Sequence, residues 1–155
     1  MSFTATTPPR LEHEPPISND GFFPSIDPAA ARVRMKLDGT VTAQRLRDAL
    51  IDAIAGTNEQ LAAWKAAQVE LGHVTLSVVP AAQVDGLSIL VQSYQRAVHC
   101  TAAASLIERY RSFDATNDGH QYADKLESPV DDLRRDASWA LSRILGRSRT
   151  TVELI

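Results

Sequence analysis

A chain of 155 residues with 44% hydrophobic residues is long enough to bury a sizeable core and reads as one domain plus tails. Its net charge of -3 gives no global pull toward nucleic acid, and its single cysteine, Cys100, excludes an internal disulfide framework and fits a reducing cytoplasm. No apolar run is long enough to cross a bilayer, and aromatics at 6% with little glycine outside the loops lean away from a sandwich or barrel.

The N-terminus lacks the charged and apolar blocks of a signal peptide, so the chain is expected to be made and to stay on the cytoplasmic side. Residues 1–24 read as a flexible arm. Pro8, Pro9, Pro15, Pro16 and Pro24 deny regular backbone pairing, and most of the rest is polar. Phe22 and Phe23 are exceptions, and they anchor the arm on the body, anchor it on another chain, or lead into the first helix.

Asp27-Pro28 is a helix start, an N-cap acceptor followed by a proline whose missing N–H costs nothing at that position. The helix is expected to reach about Leu37, with Val33 and Leu37 on one side, before Asp38-Gly39 breaks it. Thr42 caps the next helix, carried to Leu71 and ended by Gly72, with Leu46, Leu50, Ala53, Ile54, Leu61, Trp64 and Leu71 as its buried stripe. Gly56-Thr57-Asn58 is its weak point, and with Asn58 as a possible second cap this is one kinked helix or two. Residues 73–85 are either a short extended segment or a loop over the end of the bundle.

The stretch from Gly86 to Phe113 predicts the central helix, opened by Asp85 or Ser88. Leu87, Leu90, Val91, Tyr94, Val98, Ala102 and Leu106 recur at helical spacing, and no proline interrupts them. Thr101-Ala102-Ala103-Ala104-Ser105 is small on every side, so two neighbours can approach closely. Residues 114–127 read as a polar connection with at most a turn of helix near Tyr122–Leu126. The last helix is expected to start at Ser128-Pro129, with Asp131 and Asp132 in its first turn, and to end at Gly146. Its inner face is Val130, Leu133, Ala137, Ala140, Leu141 and Ile144. The expected fold is therefore mainly α: a bundle of three to four main helices over residues 25–146, with an extended N-terminal arm and a C-terminal tail.

Catalytic chemistry is not legible. His13, His73, His99 and His120 have no second ligand at metal spacing, and no phosphate loop or nucleophile elbow is present. His99 and Cys100 are adjacent, so on a helix they point about 100° apart and do not pair as base and nucleophile. Cys100 reads as a small core residue. No catalytic, cofactor-binding or metal-binding residue is expected.

The interaction residues are clearer. Trp139 lies nearly opposite the inner face of the last helix and shares a side with Asp132, Arg135, Asp136 and Arg143. It is covered by a neighbouring loop or is an anchor against another subunit. Arg147 and Arg149 lead into Thr150-Thr151-Val152-Glu153-Leu154-Ile155, an alternating β-prone segment with no strand partner in a helical body. Val152, Leu154 and Ile155 are expected to meet another chain by strand addition; a disordered end or a tail folded over its own bundle are the alternatives. The expected interface residues are Trp139, Arg135, Arg143, Arg147, Arg149, Val152, Leu154, Ile155, Phe22 and Phe23. Interleaved charges suit a solvated face or a charged subunit interface better than a DNA groove, though a helical DNA-binding regulator is the alternative function.

Three pieces in order carry a resemblance: Phe22-Phe23-Pro24-Ser25-Ile26-Asp27-Pro28 followed by Val33-Arg34-Met35-Lys36-Leu37 and Arg45-Leu46-Arg47-Asp48-Ala49; Ala103 to Ala115; and Val130 to Asp136 with Trp139-Ala140. Together they resemble the head completion (head stabilisation) proteins of temperate contractile-tailed bacteriophages and their prophages, from about Phe22 onward. The resemblance implies a structural, non-enzymatic role in the virion, at the head–tail junction. It implies a ring of neighbouring copies under the portal protein that closes the DNA-filled head and prepares a site for a tail completion or terminator protein. DNA would pass through the channel without sequence-specific binding. No membrane and no cofactor are implied.

Overall fold

The computed structural model describes residues 14–37, 41–113 and 119–147, with side chains at 14–37, 41–109 and 130–147. The fold is mainly helical: α1 (Pro28–Arg34), α2 (Ala43–Gln60), α3 (Ala62–Glu70), a 3-10 turn (Leu76–Val78), a hairpin of β1 (Gln83–Val84) and β2 (Leu87–Ser88), α4 (Ile89–Phe113) and α5 (Gly119–Ile144). The expected mainly α architecture is borne out.

α4 is the central helix. It packs against α2 on one side and, more extensively, against α5 on the other. Tyr94, Ala97, Val98, Ala102, Ala103, Ala104 and Leu106 are all buried. The alanines allow this: with only a methyl on each, both neighbours approach the α4 backbone. Leu46, Leu50, Leu61 and Leu76 complete the core with no exposed surface, each worth about 1.5–3 kcal/mol of burial.

Residues 14–27, which include the second part of the expected arm, are built onto this body. Ile17 and Ile26 exchange backbone hydrogen bonds at 2.7 and 3.0 Å, closing a loop. Inside it Asp20 accepts from the N–H groups of Phe22 and Phe23 at 3.0 Å each, and Gly21 takes φ +88° to make the turn. Burial alone would raise the Asp20 carboxyl; hydrogen bonds from Lys65 and from the Phe23 and Phe22 amides hold it below its ordinary range. Phe22 and Phe23 are 4% and 3% exposed. Their rings meet edge-on at 5.1 Å, and Phe23 stacks on Tyr94 at 4.6 Å. They anchor the arm on its own body and have no surface left for a second chain, which removes them from the expected interface.

α1 starts as expected, with the Asp27 carboxylate accepting from Ala29 N–H at 2.9 Å. It ends at Arg34 rather than Leu37, because Lys36 adopts φ +52° and closes the helix. Leu37 packs against the core while Val33 is 78% exposed, so the two do not share a buried side.

Thr42 caps α2 through Arg45 N–H. The helical stretch that follows is two helices, and the break lies at Leu61, not at Gly56-Thr57-Asn58. Gly56 is inside α2, Thr57 is buried, and the Asn58 side chain is turned to Tyr94 instead of capping. α3 stops at Gly72, as expected. Gly72 at φ +90° lets its N–H reach Val69 O while His73 N–H reaches Gln68 O, the two bonds of a Schellman cap. Leu71 is 71% exposed and leaves the buried stripe.

Residues 73–85 hold the 3-10 turn and the first strand of a hairpin. Asp85 and Gly86, at φ +54° and +70°, form the two-residue turn that pairs Val84 with Leu87. Gly86 thus belongs to the hairpin, Leu87 is half exposed in β2, and α4 begins after Ser88, whose hydroxyl accepts from Leu90 N–H at 3.3 Å. α5 begins at Gly119, well before Ser128-Pro129, so much of the expected polar connection is helix and Pro129 lies inside it. It ends at Gly146 as expected, again in a Schellman cap.

Candidate interaction surface

α5 turns two faces in two directions. Val130, Ala137, Ala140, Leu141 and Ile144 are buried toward α4, and Leu133 is half-buried. The other side carries Arg135, Trp139 and Arg143, spaced four residues apart and therefore stacked along one stripe. The Arg135 guanidinium lies 5.0 Å from the centroid of the Trp139 ring and also pairs with Asp132 at 2.8 Å. Trp139 is half-buried, beside a small recess shared with Arg96, Asp136 and Arg143. Three of the expected interface residues are thus brought together. Arg147 is exposed directly after the cap of α5. Arg149, Val152, Leu154 and Ile155 lie outside the described residues.

Charge pairs tie this side of α5 to α4. Asp136 accepts from Arg96 at 2.8 Å, and Arg134 pairs with Glu108. Arg109 reaches Asp52 on α2 at 3.5 Å. These are exposed pairs worth little each. Their value is orientation, because they hold side chains of both signs in fixed places on the surface.

A second feature adjoins the first. A cleft of about 590 Å³ opens between the end of α1, the hairpin, α4 and α5, with Arg34, Arg96 and Arg143 on its walls beside Met35, Ile89 and Leu133. His99 and Cys100 also line it. Burial, and then the charge of Arg34, push the His99 imidazole down to about 4, so it is neutral at pH 7. Burial, with Asp136 adding to it, pushes the Cys100 thiol up, partly offset by Arg96. Neither group is set up as a base or a nucleophile at neutral pH. Among the described residues no cluster of His, Cys, Asp or Glu could hold a metal ion, and no helix is long and apolar enough to cross a membrane.

Sequence reasoning missed Arg34 and Arg96 as surface residues of note. Arg96 could have been found, being a full charge in the middle of the otherwise small and apolar central helix. It also missed a run of exposed aliphatic side chains, Val69, Leu71, Val74 and Val78, from the last turn of α3 to the 3-10 turn.

These features define a small helical-bundle protein whose conspicuous surface is a stripe of arginine and tryptophan with mixed charge around it. Comparison with known proteins gives the family. Residues 17–155 match the family described as phage head completion protein (GPL), and the chain belongs to it. The head completion/stabilization protein of Escherichia phage P2 is 43% identical over 152 residues, 98% of this chain and 90% of that protein. No solved structure matches. The resemblance read from the sequence is borne out, and with it a structural role in completing the phage head.

Proposed function

We propose that this chain completes the head as one subunit of a connector ring at the portal vertex, where it stabilises the DNA-filled head and prepares tail attachment. The observation that carries the reading is Trp139: a tryptophan on the charged side of α5, with the Arg135 guanidinium at its ring and part of its surface still open to solvent. Tryptophan and arginine together are frequent anchors of subunit contacts. The partners are neighbouring copies, the portal protein and a tail completion or terminator protein, and the segment from Arg147 onward docks on the portal or on a neighbour. An acidic chain in a ring neutralises few phosphates, which suits DNA that must slide through.

Light scattering of the purified chain, alone and mixed with portal rings, tests this. The expected result is a complex heavier than the portal by several copies of the chain. A portal mass unchanged by a large excess of the chain overturns it. Tight, salt-dependent binding to DNA in a filter assay would favour a DNA-binding regulator instead.

A further inference from the structure

The stripe on α5 has a counterpart on another side of the molecule. α2 and α5 both pack on α4 and bury the sides that face it, so their exposed faces look outward in different directions. The outer face of α2 carries Asp48, Ile51, Asp52, Ala55 and Glu59, which recur at helical spacing and are all exposed. Ile51 is a large aliphatic side chain left half exposed between two acids. Asp48 and Glu59 have no cationic partner among the described residues, and Asp52 holds only Arg109, at 3.5 Å. On α5, Arg143 likewise has no hydrogen-bond or ion-pair partner among the described residues.

We propose that the α5 stripe of one copy packs on this α2 face of the next copy, an inference that rests on the ring reading and names its two contact surfaces. The faces are complementary in charge and in order. On α5, Arg135 and Arg143 stand on either side of Trp139; on α2, Asp48 and Glu59 stand on either side of Ile51 and Ala55. At helical rise the two arginines are about 12 Å apart and the two acids about 16 Å, a difference that long side chains bridge. The tryptophan ring then covers the exposed isoleucine, and the outer arginines meet carboxylates that their own chain leaves unpaired. The acids on the α5 side add little repulsion, because Asp132 is held by Arg135 and Asp136 by Arg96. Arg45 lies before Asp48 in the first turn of α2, outside this stretch.

Two different faces in contact leave one of each open at the ends of a short row, so copies add head to tail until the row closes on itself. A face that met its own image would stop at two copies. One helix on one helix is a small contact, and exposed charge pairs are worth little each. The free chain is therefore expected to stay monomeric, with the contact forming between copies held side by side on the portal.

Loading of portal rings is followed by light scattering as the full chain is titrated in. The parent is compared with an α2 form (Asp48→Lys with Glu59→Lys), an α5 form (Arg135→Glu with Arg143→Glu) and a form carrying all four changes. All four positions are exposed, and melting temperatures close to the parent's verify that each form is folded. The α2 form and the α5 form are each expected to raise the concentration that half-fills the portal by about ten-fold or more, because each sets like charges against one another. The form with all four changes is expected to load like the parent, and so is an equal mixture of the α2 and α5 forms, whose alternating copies meet with opposite signs. An α5 form that carries Glu70→Lys and Asp85→Lys instead has the same net charge as the form with all four changes, at exposed positions off the α2 face, and is expected to stay impaired. Unchanged loading of the α2 form overturns the proposal, as does recovery in that net-charge control. Loss in both forms without recovery in their combination also overturns it. Loss confined to the α5 form overturns it too, giving the stripe to the portal or to a second α5. A parent that never loads removes the ring reading and this pairing with it, whereas every other failure leaves the ring reading standing.

Discussion

Tyr94 donates its phenolic O–H to the Asn58 side-chain oxygen at 2.6 Å, joining the central helix to α2 at the point where the sequence suggested a break. The Asn58 amide in turn donates to Asn19 at 2.8 Å, and the Asn19 amide donates back to the Tyr94 oxygen at 2.8 Å and to Pro24 O at 3.0 Å. Burial pushes the Tyr94 phenol up to about 12, so it keeps the proton this ring of hydrogen bonds requires. The ring therefore fastens the N-terminal loop, α2 and α4 together at one place.

Tyr94→Phe keeps the stack on Phe23 and removes only the hydroxyl. The Asn58 oxygen loses its donor and the Asn19 amide loses one of its acceptors, at a cost of about 1–3 kcal/mol for buried groups left short. The expected outcome is a lower melting temperature with an unchanged far-ultraviolet circular dichroism spectrum. A variant that melts like the parent would show that water satisfies both amides.

The helical outline was legible in the residues, and the reasons are local. Small residues around Ala102–Ala104 announce a helix that others approach closely, and Asp27-Pro28, Thr42, Gly72 and Gly146 each act at the ends where they were expected. What was not legible depends on distant partners. Asn58 reads as a cap until Tyr94 claims its side chain. Phe22-Phe23 reads as a sticky arm until Asp20, Lys65 and Trp64 hold it in place. Ser128-Pro129 mimics a helix start, and the sequence before it is mostly polar, so the first turns of α5 carry no clear hydrophobic periodicity. The Asp85-Gly86 pair is an open hairpin-turn signal, but it directly precedes a long helical pattern that can take Asp85 as its start. Of the interaction surface, the stripe on α5 could be read because it breaks an otherwise regular pattern; the cleft could not, because its walls come from four separate elements.

Lys36 is an exposed lysine in the left-handed conformation, φ +52°, at the position after the cap of α1. Its N–H and that of Leu37 bond to Val33 O and Arg32 O, the same pattern that Gly72 and Gly146 complete with glycine. An L side chain in that conformation costs about 1 kcal/mol or more that glycine does not. Lys36→Gly is therefore expected to raise stability by up to about 1 kcal/mol in urea unfolding, while Gly146→Ala lowers it by a similar amount. A loss of stability in Lys36→Gly would mean that the lysine makes a compensating contact.

His99 gives the pH dependence a definite sign. Burial and the nearby Arg34 hold its folded-state value at about 4, below the ordinary 6.5 of an unfolded chain. The unfolded chain therefore takes up the proton first. The stability linked to His99 is fully present above pH 6.5 and is lost as the pH falls toward 4, a change on the order of 3 kcal/mol. Urea midpoints measured at pH 7 and pH 4.5 should fall steeply for the parent and less steeply for His99→Gln, which has no proton to gain. Parallel slopes would show that the imidazole is hydrated in the native state.

Ala102 has no exposed surface and lies on the central helix, which packs against both α2 and α5. Ala102→Leu would force three extra carbons between packed helices, at a cost of about 1–3 kcal/mol. A clear drop in the melting temperature is expected, with Ala102→Gly lowering it by about 1 kcal/mol for a different reason, the backbone freedom of glycine. If the leucine variant is as stable as the parent, the helices have room that the buried alanines do not suggest.

The stripe on α5 separates assembly from folding. Trp139 is only half-buried, and one of its contacts is the Arg135 guanidinium at 5.0 Å, a pairing worth about 0.5–1 kcal/mol at an exposed site. Trp139→Ala and Arg135→Glu should therefore leave the melting temperature of the free chain within a few degrees of the parent. If the stripe is a subunit contact, each should weaken association with portal rings by ten-fold or more, because a central aromatic or arginine at an interface is commonly worth about 2 kcal/mol or more. Arg45→Glu, an exposed charge at the first turn of α2, is the control for net charge alone. Association measured by light scattering that is equally reduced in all three variants would point to a general charge effect. Association unchanged in Trp139→Ala would move the contact to another face, with the exposed Val69, Leu71, Val74 and Val78 as the next surface to alter.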